Sequence, residues 1–267
     1  MKRVVVTGAS GFIGRALCAR LEHAGAEVLR VPSNAVAALH AMPEAVCVHL
    51  AANGDAQDVE NRYAQRRDEA TTLARQLLQK KFRRVIFASS AHVYGDAEQA
   101  PRSEESALLP TTAYGRLKAE LEKLFSQAGH ARARISNVYG VGMSVNNVFS
   151  RILRQLQAGD RAQVRNLASV RDYIHVDDVA SALAALALGT PAGVFNISTG
   201  RGASVGELAA LIARACGKPN ARVEAEAELK SPSTLVLDPR LLFSACGWRA
   251  RIRLEEGVAA LAGMPAR

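Results

Sequence analysis

Thr7-Gly8-Ala9-Ser10-Gly11-Phe12-Ile13-Gly14 follows a short apolar run, Arg3–Val6, and opens a segment with helical periodicity that lasts to about Ala24. The succession of strand, glycine turn and helix decides the fold. Gly8 permits a tight turn, Gly11 lets a pyrophosphate approach the backbone, and Gly14 allows close packing of helix on strand. The helix that begins at Phe12 and Ile13 offers free N–H groups and a positive dipole end to phosphate oxygens. The spacing is Gly-x-x-Gly-x-x-Gly, not the Gly-x-Gly-x-x-Gly of ordinary dehydrogenases. Gly8, Gly11, Phe12, Ile13 and Gly14 are therefore candidate cofactor-binding residues.

The alternation continues outward from this turn. Gly25 ends the first helix and Glu27–Val31 reads as a second strand. Strands follow at Ala45–Ala51, Arg84–Ser89 and Ala131–Asn137, with helices at about Asp68–Gln79 and Ala113–Gln127 between them. Such alternation predicts an α/β fold with a doubly wound parallel sheet. From about Val145 the pattern is less regular. Val148–Gln157 and Val205–Cys216 read as helices, Val194–Ile197 as a short strand, and Asn220–Pro232 as a polar, loop-rich stretch. The expected division is a dinucleotide-binding domain over 1–145 and a smaller, mainly substrate-binding lobe over 146–267, with the strand near 194–197 free to rejoin the sheet. The lobe is expected over the C-terminal edge of the sheet, where open α/β sheets bind ligands.

Composition narrows the function classes. The chain has 267 residues, 49% hydrophobic and 22% charged, which suits one or two globular domains of about 100–200 residues each. No apolar run approaches the ~20 residues of a membrane span. The longest, Val179–Leu188, reads as a core helix. The N-terminus turns glycine-rich after three valines, unlike a signal peptide. Net charge is +9, but the arginines are scattered and aromatics are only 5%, a pattern that argues against nucleic acid and suits an anionic substrate. Cys18, Cys47, Cys216 and Cys246 lie far apart, with neither metal nor disulfide spacing. Cys18 and Cys47 read as core fillers, and a reducing cytoplasm is the expected compartment.

An acidic residue about twenty positions beyond the glycine turn would bind the ribose of NAD. The second strand instead ends Arg30-Val31-Pro32-Ser33. Arg30 either approaches a 2′-phosphate, which favours NADP, or is a surface arginine pointing elsewhere. NAD is the expected cofactor, with NADP left open.

Tyr114 and Lys118 are four apart on a predicted helix and so share a face. An ammonium and a nicotinamide charge nearby would favour the phenolate and lower the tyrosine pKa below its reference of ~10. Tyr114 then exchanges a proton with a substrate hydroxyl. Upstream, Phe87-Ala88-Ser89-Ser90-Ala91-His92-Val93-Tyr94-Gly95 is a strand end with two hydroxyls. Ser90 is placed to hold the substrate oxygen and the phenol in line. Ser90, Tyr114 and Lys118 form the candidate catalytic set.

With these residues in view the chain resembles an extended short-chain dehydrogenase/reductase of the nucleotide-sugar epimerase/dehydratase family. The resemblance rests on Thr7–Gly14, His49-Leu50-Ala51-Ala52, Ser89–Gly95, Tyr114/Lys118, Asn137-Val138-Tyr139-Gly140, Arg171-Asp172-Tyr173-Ile174-His175-Val176 and Phe195–Gly200. It implies a Rossmann sheet with a C-terminal substrate lobe. It also implies that Leu50, Ala51 and Ala52 line the cofactor, that Ser90 or Ser89, Tyr114 and Lys118 are catalytic, and that Lys118 holds the nicotinamide ribose. Asn137 would meet the sugar-nucleotide diphosphate, together with Arg171, which matches an arginine that UDP-galactose 4-epimerases place there. A guanidinium fork suits paired phosphate oxygens. The alternative for Arg171 is a salt bridge to Asp172 or Asp177. His175, Asp177 and Asp178 read as structural, with a carboxylate capping the following helix.

Three departures from the family pattern stand out. The stretch between the second strand and Ala45 is too short for the usual helix, third strand and adenine-contacting segment. Ala91-His92 replaces the Asp-Glu of sugar 4,6-dehydratases, and Ala91 cannot serve as acid or base. The later diphosphate-binding arginine is missing before Leu235-Val236-Leu237-Asp238, with Lys230 the nearest cation. The first functional reading is a nucleotide-sugar 4-epimerase working through a transient 4-keto sugar. The alternatives are an NAD(P)H-dependent 4-keto-sugar reductase and a non-catalytic nucleotide-sensing protein. A homodimer is allowed by the sequence without being required by it.

Overall fold

The computed structural model describes residues 1–51, 56–96, 100–225 and 232–263. The first part of the chain runs β1 (Arg3–Thr7), α1 (Phe12–His23), β2 (Glu27–Val31), β3 (Val46–His49), α2 (Ala56–Asn61), α3 (Tyr63–Leu78), β4 (Arg84–Ser90), α4 (Ala113–Leu124) and β5 (Ala131–Ile135). It continues through β6 (Asn137–Tyr139), α5 (Val148–Ala158), β7 (Arg161–Val164), β8 (Val170–His175), α6 (Val176–Leu188) and β9 (Gly193–Ile197). The last elements are β10 (Gly202–Ser204), α7 (Val205–Ala215), β11 (Arg222–Ala225), β12 (Thr234–Leu235), α8 (Arg240–Cys246) and α9 (Leu254–Ala262).

Six strands pair in parallel in the order β2-β1-β3-β4-β5-β9. The three valines of β1 explain its central place, because both faces of the strand are covered. Val4 and Val6 pack with Leu17, Cys18 and Leu21 of α1 and with Val179, Leu183 and Leu186 of α6. Val5 faces Ala74 and Leu77 of α3 and Leu117 and Leu121 of α4. Each such side chain contributes about 1.5–3 kcal/mol when buried, so a continuous apolar run is stable only between two helical layers. Val179–Leu188 is the core helix its sequence predicts, and no helix among the described residues is long and apolar enough to cross a membrane.

Residues 32–45 carry the chain from β2 to β3 on the far side of β1, through a short 3₁₀ turn at Ser33–Ala35 and the buried Val36. Among the described residues no strand lies beyond β2, so the sheet ends there. The strand order reverses about β1, and this reversal opens a crevice at the C-terminal ends of β1 and β3.

Two expectations are corrected. Ala131–Asn137 is not one strand: it breaks at Ser136, whose N–H donates to Ile197 O at 3.1 Å and whose hydroxyl donates to Asp172 at 3.3 Å. β5 stays in the main sheet while β6 leaves it to pair with β8, Asn137 opposite Tyr173. The polar stretch from Asn220 contains β11, which pairs in parallel with β7; residues 226–231 lie outside the described residues. A second core gathers Phe149, Ile152 and Leu156 of α5, Leu208 and Ile212 of α7, and Val258 of α9. Ser204 and Glu207 form a capping box at the start of α7. β9 runs beside β5 as the far edge of the six-stranded sheet.

Candidate active site

The glycine turn closes on itself through Gly11 N–H to Gly8 O at 3.0 Å. Gly8 has φ +73°, and a Cβ there would lie 2.9 Å from Ala51 N. A Cβ on Gly14 would lie 2.1 Å from Gly8 O, so this glycine is required for α1 to sit on the turn. Gly11 differs. Its Cβ would meet only Gly8 O, at 3.2 Å, so its open side faces the crevice. It is also the N-cap of α1, with no side chain capping the helix. The first N–H groups, at Phe12 and Ile13, are thus left for a ligand. The turn is tied to β3 by Leu50 N–H to Thr7 O at 3.1 Å and by Thr7 Oγ1 against His49 Nδ1 at 2.7 Å. Burial, with Lys118 nearby, pulls the His49 imidazole down to about 3, so it stays neutral.

A groove of about 900 Å³ runs from this turn along Ser33, Asn34, Leu50 and Ala51 to α3. These features fit a dinucleotide: a side-chain-free approach at Gly11, exposed amide donors, and room beyond. Ala52 lies outside the described residues. Arg30 does not turn to the groove. It pairs with Glu22 of α1 at 2.7 Å on the protein surface.

Ser90 ends β4, and its Oγ accepts the His92 N–H at 3.3 Å. Tyr114 and Lys118 project from α4, whose first turn is capped by Thr112 Oγ1 accepting Gly115 N–H at 3.0 Å. Lys118 Nζ donates to Ala88 O at 2.8 Å and stands 5.0 Å from the Phe87 ring centre and 5.7 Å from that of Tyr114. The three side chains are therefore gathered at one strand end beside the crevice. In the protein without ligand, burial sets their ionisation. Burial pushes the Tyr114 phenol up to about 12, with Ser90, in hydrogen-bonding reach, pulling the other way. Burial lowers Lys118 to about 8, partly opposed by the Glu122 carboxylate. The expected depression calls for a nicotinamide charge as well as the ammonium; in the protein without ligand, desolvation decides the direction.

His92 stands 6.0 Å from Tyr114, ring edge to face, and burial lowers its imidazole below the usual range, with Arg171 adding to the shift. A cavity of about 540 Å³ is lined by Asn137 and Arg171 together with Asn147, Arg151, Arg165 and Tyr173. Asn137 Nδ2 is buried there without a hydrogen-bond partner. Arg171 reaches neither Asp172 nor Asp177. It pairs with Asp96 at 3.2 Å and donates to Ser233 O and Ser233 Oγ, each at 2.8 Å. Asp172 faces away from it and accepts the Thr199 and Gly200 N–H groups at 3.0 and 2.9 Å. Lys230 lies outside the described residues. The cap of α6 is His175, whose Nδ1 accepts Asp177 N–H at 3.2 Å, in place of the expected carboxylate. Asp178 instead holds the N–H groups of Arg251 and Ile252.

The sequence reading overlooked a buried pair beneath Lys118. Arg134 of β5 grips Glu122 through Nε at 2.9 Å and Nη2 at 2.7 Å, and its Nη1 donates to the Tyr94 hydroxyl at 2.9 Å. The signal was available: Glu122 continues the Tyr114/Lys118 face by one more turn, and an arginine inside a buried strand requires a partner.

Fold and crevice together define a dinucleotide-binding enzyme of the doubly wound type. Residues 4–198 match the NAD dependent epimerase/dehydratase family, and the chain belongs to that family. The UDP-glucose 4-epimerase of Bacillus subtilis (strain 168) is 25% identical, over 95% of this chain and 94% of its own length. The dTDP-6-deoxy-L-talose 4-dehydrogenase (NAD(P)(+)) of Kitasatospora kifunensis is 27% identical, over 96% of this chain and 93% of its own. The structure of MoeE5 in complex with UDP-glucuronic acid and NAD superimposes with a TM-score of 0.84, at 28% identity and 96% coverage of both chains.

Proposed function

We propose that the chain is an NAD(P)-dependent nucleotide-sugar epimerase acting at C4 through a transient 4-keto sugar. The observation that carries this reading is the gathering of Ser90, Tyr114 and Lys118 at the C-terminal end of β4, beside β3, whose end borders the glycine-turn crevice. In this reading Gly8, Gly11, Phe12, Ile13, Gly14, Leu50, Ala51 and Ala52 hold the dinucleotide, and Asn137 and Arg171 hold the substrate diphosphate. When bound, the nicotinamide supplies the acceptor and donor of hydride at C4. Ser90 orients the 4-oxygen, and Tyr114 takes its proton on oxidation and returns it on reduction. Lys118, cationic below about 8, favours the phenolate and anchors the ribose.

A second reading, a nucleotide-4-keto-sugar reductase, is favoured by one observation. With burial holding its phenol near 12, Tyr114 carries its proton at neutral pH in the protein without ligand. Reduction uses the proton that is already there. Mass analysis of nucleotide released on denaturing the purified protein separates the two. Retained NAD supports the epimerase, whose cofactor is regenerated each cycle. A protein that carries none and binds NADPH supports the reductase. One that turns over no nucleotide sugar is the sensing protein instead. A homodimer, checked by light scattering, and a reducing cytoplasm, suited to the free cysteines, belong to the same proposal.

Arg171→Ala is expected to weaken nucleotide-sugar binding by about 1.5–3 kcal/mol, the worth of a charged hydrogen bond, and to leave dinucleotide affinity unchanged. Calorimetry with each ligand reads both. A loss confined to the dinucleotide removes Arg171 from the substrate site.

A further inference from the structure

A second cavity, of about 660 Å³, shares only Tyr173 with the cavity of Asn137 and Arg171. None of the candidate catalytic or cofactor-binding residues lines it. Its walls come from the loop after β9, the start of α8 and the stretch Trp248–Leu254. Arg201, Arg240, Arg249, Arg251 and Arg253 line it, against Glu255 as the one lining carboxylate. Arg240 is paired with Asp238 at 2.6 Å and Arg253 with Glu255 at 3.6 Å. Arg201, Arg249 and Arg251 have no side-chain ion-pair partner among the described residues.

The stretch that carries these arginines is held in place. Asp178 accepts the N–H groups of Arg251 and Ile252 at 3.1 and 2.9 Å, and Trp248 Nε1 donates to Ser181 Oγ at 2.8 Å. Three guanidinium groups at one concavity repel one another, and a multiply charged anion relieves that repulsion. Guanidinium forks match phosphate oxygens in pairs, which favours phosphate over a point anion. Two further features suit a ligand with a ring as well as charge. Phe243 is 52% exposed at this cavity. Tyr173 is 5% exposed, and its hydroxyl has no hydrogen-bond partner.

We propose that this cavity is a second binding site, for a ligand with two adjacent phosphate groups. That chemistry is shared by inorganic pyrophosphate and by a free nucleoside diphosphate. The proposal goes beyond the epimerase reading and does not depend on it.

Trp248 is the single tryptophan of the chain, so its emission reports this cavity. Pyrophosphate is titrated against sodium chloride at matched ionic strength, because exposed charges are screened. The wild type, Arg171→Ala and Gly11→Val are expected to show the same saturable change. In the double variant Arg249→Ala/Arg251→Ala the dissociation constant is expected to rise about tenfold or more. Circular dichroism verifies its fold, and Arg201→Ala carries the same test if the double variant misfolds. A parallel titration with UDP distinguishes the sources: tighter binding than pyrophosphate points to the nucleotide, and equal binding to the phosphates alone. Calorimetry on the same variants reads binding without relying on emission. The proposal is overturned if the wild type gives neither saturable emission change nor heat. It is equally overturned if the arginine variants titrate like wild type, or if Arg171→Ala abolishes the signal.

Discussion

Tyr114→Phe is expected to slow turnover of a nucleotide sugar by about 10²–10⁴-fold, the range for a positioned acid–base group. The ring packs against the core formed with Leu117 and Leu121, and phenylalanine keeps that packing, so folding should be unaffected. Dinucleotide binding should persist, because the proposed anchors are the glycine turn and Lys118. The pH behaviour gives a second, independent reading. In the protein without ligand the phenol lies near 12 and Lys118 near 8. An ionisation near 8 in dinucleotide binding therefore belongs to Lys118: the cation is present below it and lost as pH rises through it. That ionisation should survive in Tyr114→Phe and vanish in Lys118→Met. Near-normal turnover in Tyr114→Phe would remove the tyrosine from the proton path, whatever the family membership.

What the sequence made legible follows physical range. The β1 valines, the glycine turn and the Tyr114/Lys118 spacing are local patterns, and each predicts its own structure. The break at Ser136 is not local. Ile135-Ser136-Asn137 contains no glycine or proline, and the strand divides because Ser136 is held by Ile197 and Asp172, distant in the chain. The short, largely exposed β11 has too little apolar pattern to announce itself, and it exists because β7 lies alongside. Arg171 was read against the carboxylates nearest in sequence, but adjacent residues on a strand face opposite ways. Asp172 therefore binds the loop at Thr199, and Arg171 finds Asp96. The tyrosine ionisation in the free protein is not local either: helical spacing reports that an ammonium is near, while the cost of burial depends on everything packed around the ring. The end of β2 carries no acid, and Arg30 there pairs with Glu22 on the preceding helix.

Gly11→Val and Gly14→Ala, three residues apart in one turn, are expected to fail in different ways. A Cβ on Gly14 would sit 2.1 Å from Gly8 O and 2.8 Å from Ala9 Cα. Backbone cannot yield as a flexible side chain can, so α1 must shift off the turn, at a cost of about 1–3 kcal/mol or more for overpacking. The expected result is a lowered Tm together with weakened dinucleotide binding. At Gly11 the φ of −72° suits any residue, and the nearest protein atom to a new Cβ is Gly8 O at 3.2 Å. Valine there costs the fold only about the 0.5–2 kcal/mol typical of a poor N-cap. Its methyl groups occupy the open side of the turn, where phosphate oxygens would reach the N–H groups of Phe12 and Ile13. Each charged hydrogen bond lost is worth about 1.5–3 kcal/mol, so dinucleotide affinity should fall by about tenfold or more per bond, with Tm close to wild type. Thermal melts and calorimetry on the two variants test the turn from both sides. Wild-type dinucleotide affinity in Gly11→Val would mean that the pyrophosphate does not lie against this helix N-terminus. A wild-type Tm in Gly14→Ala would mean that the turn yields to an added Cβ on α1.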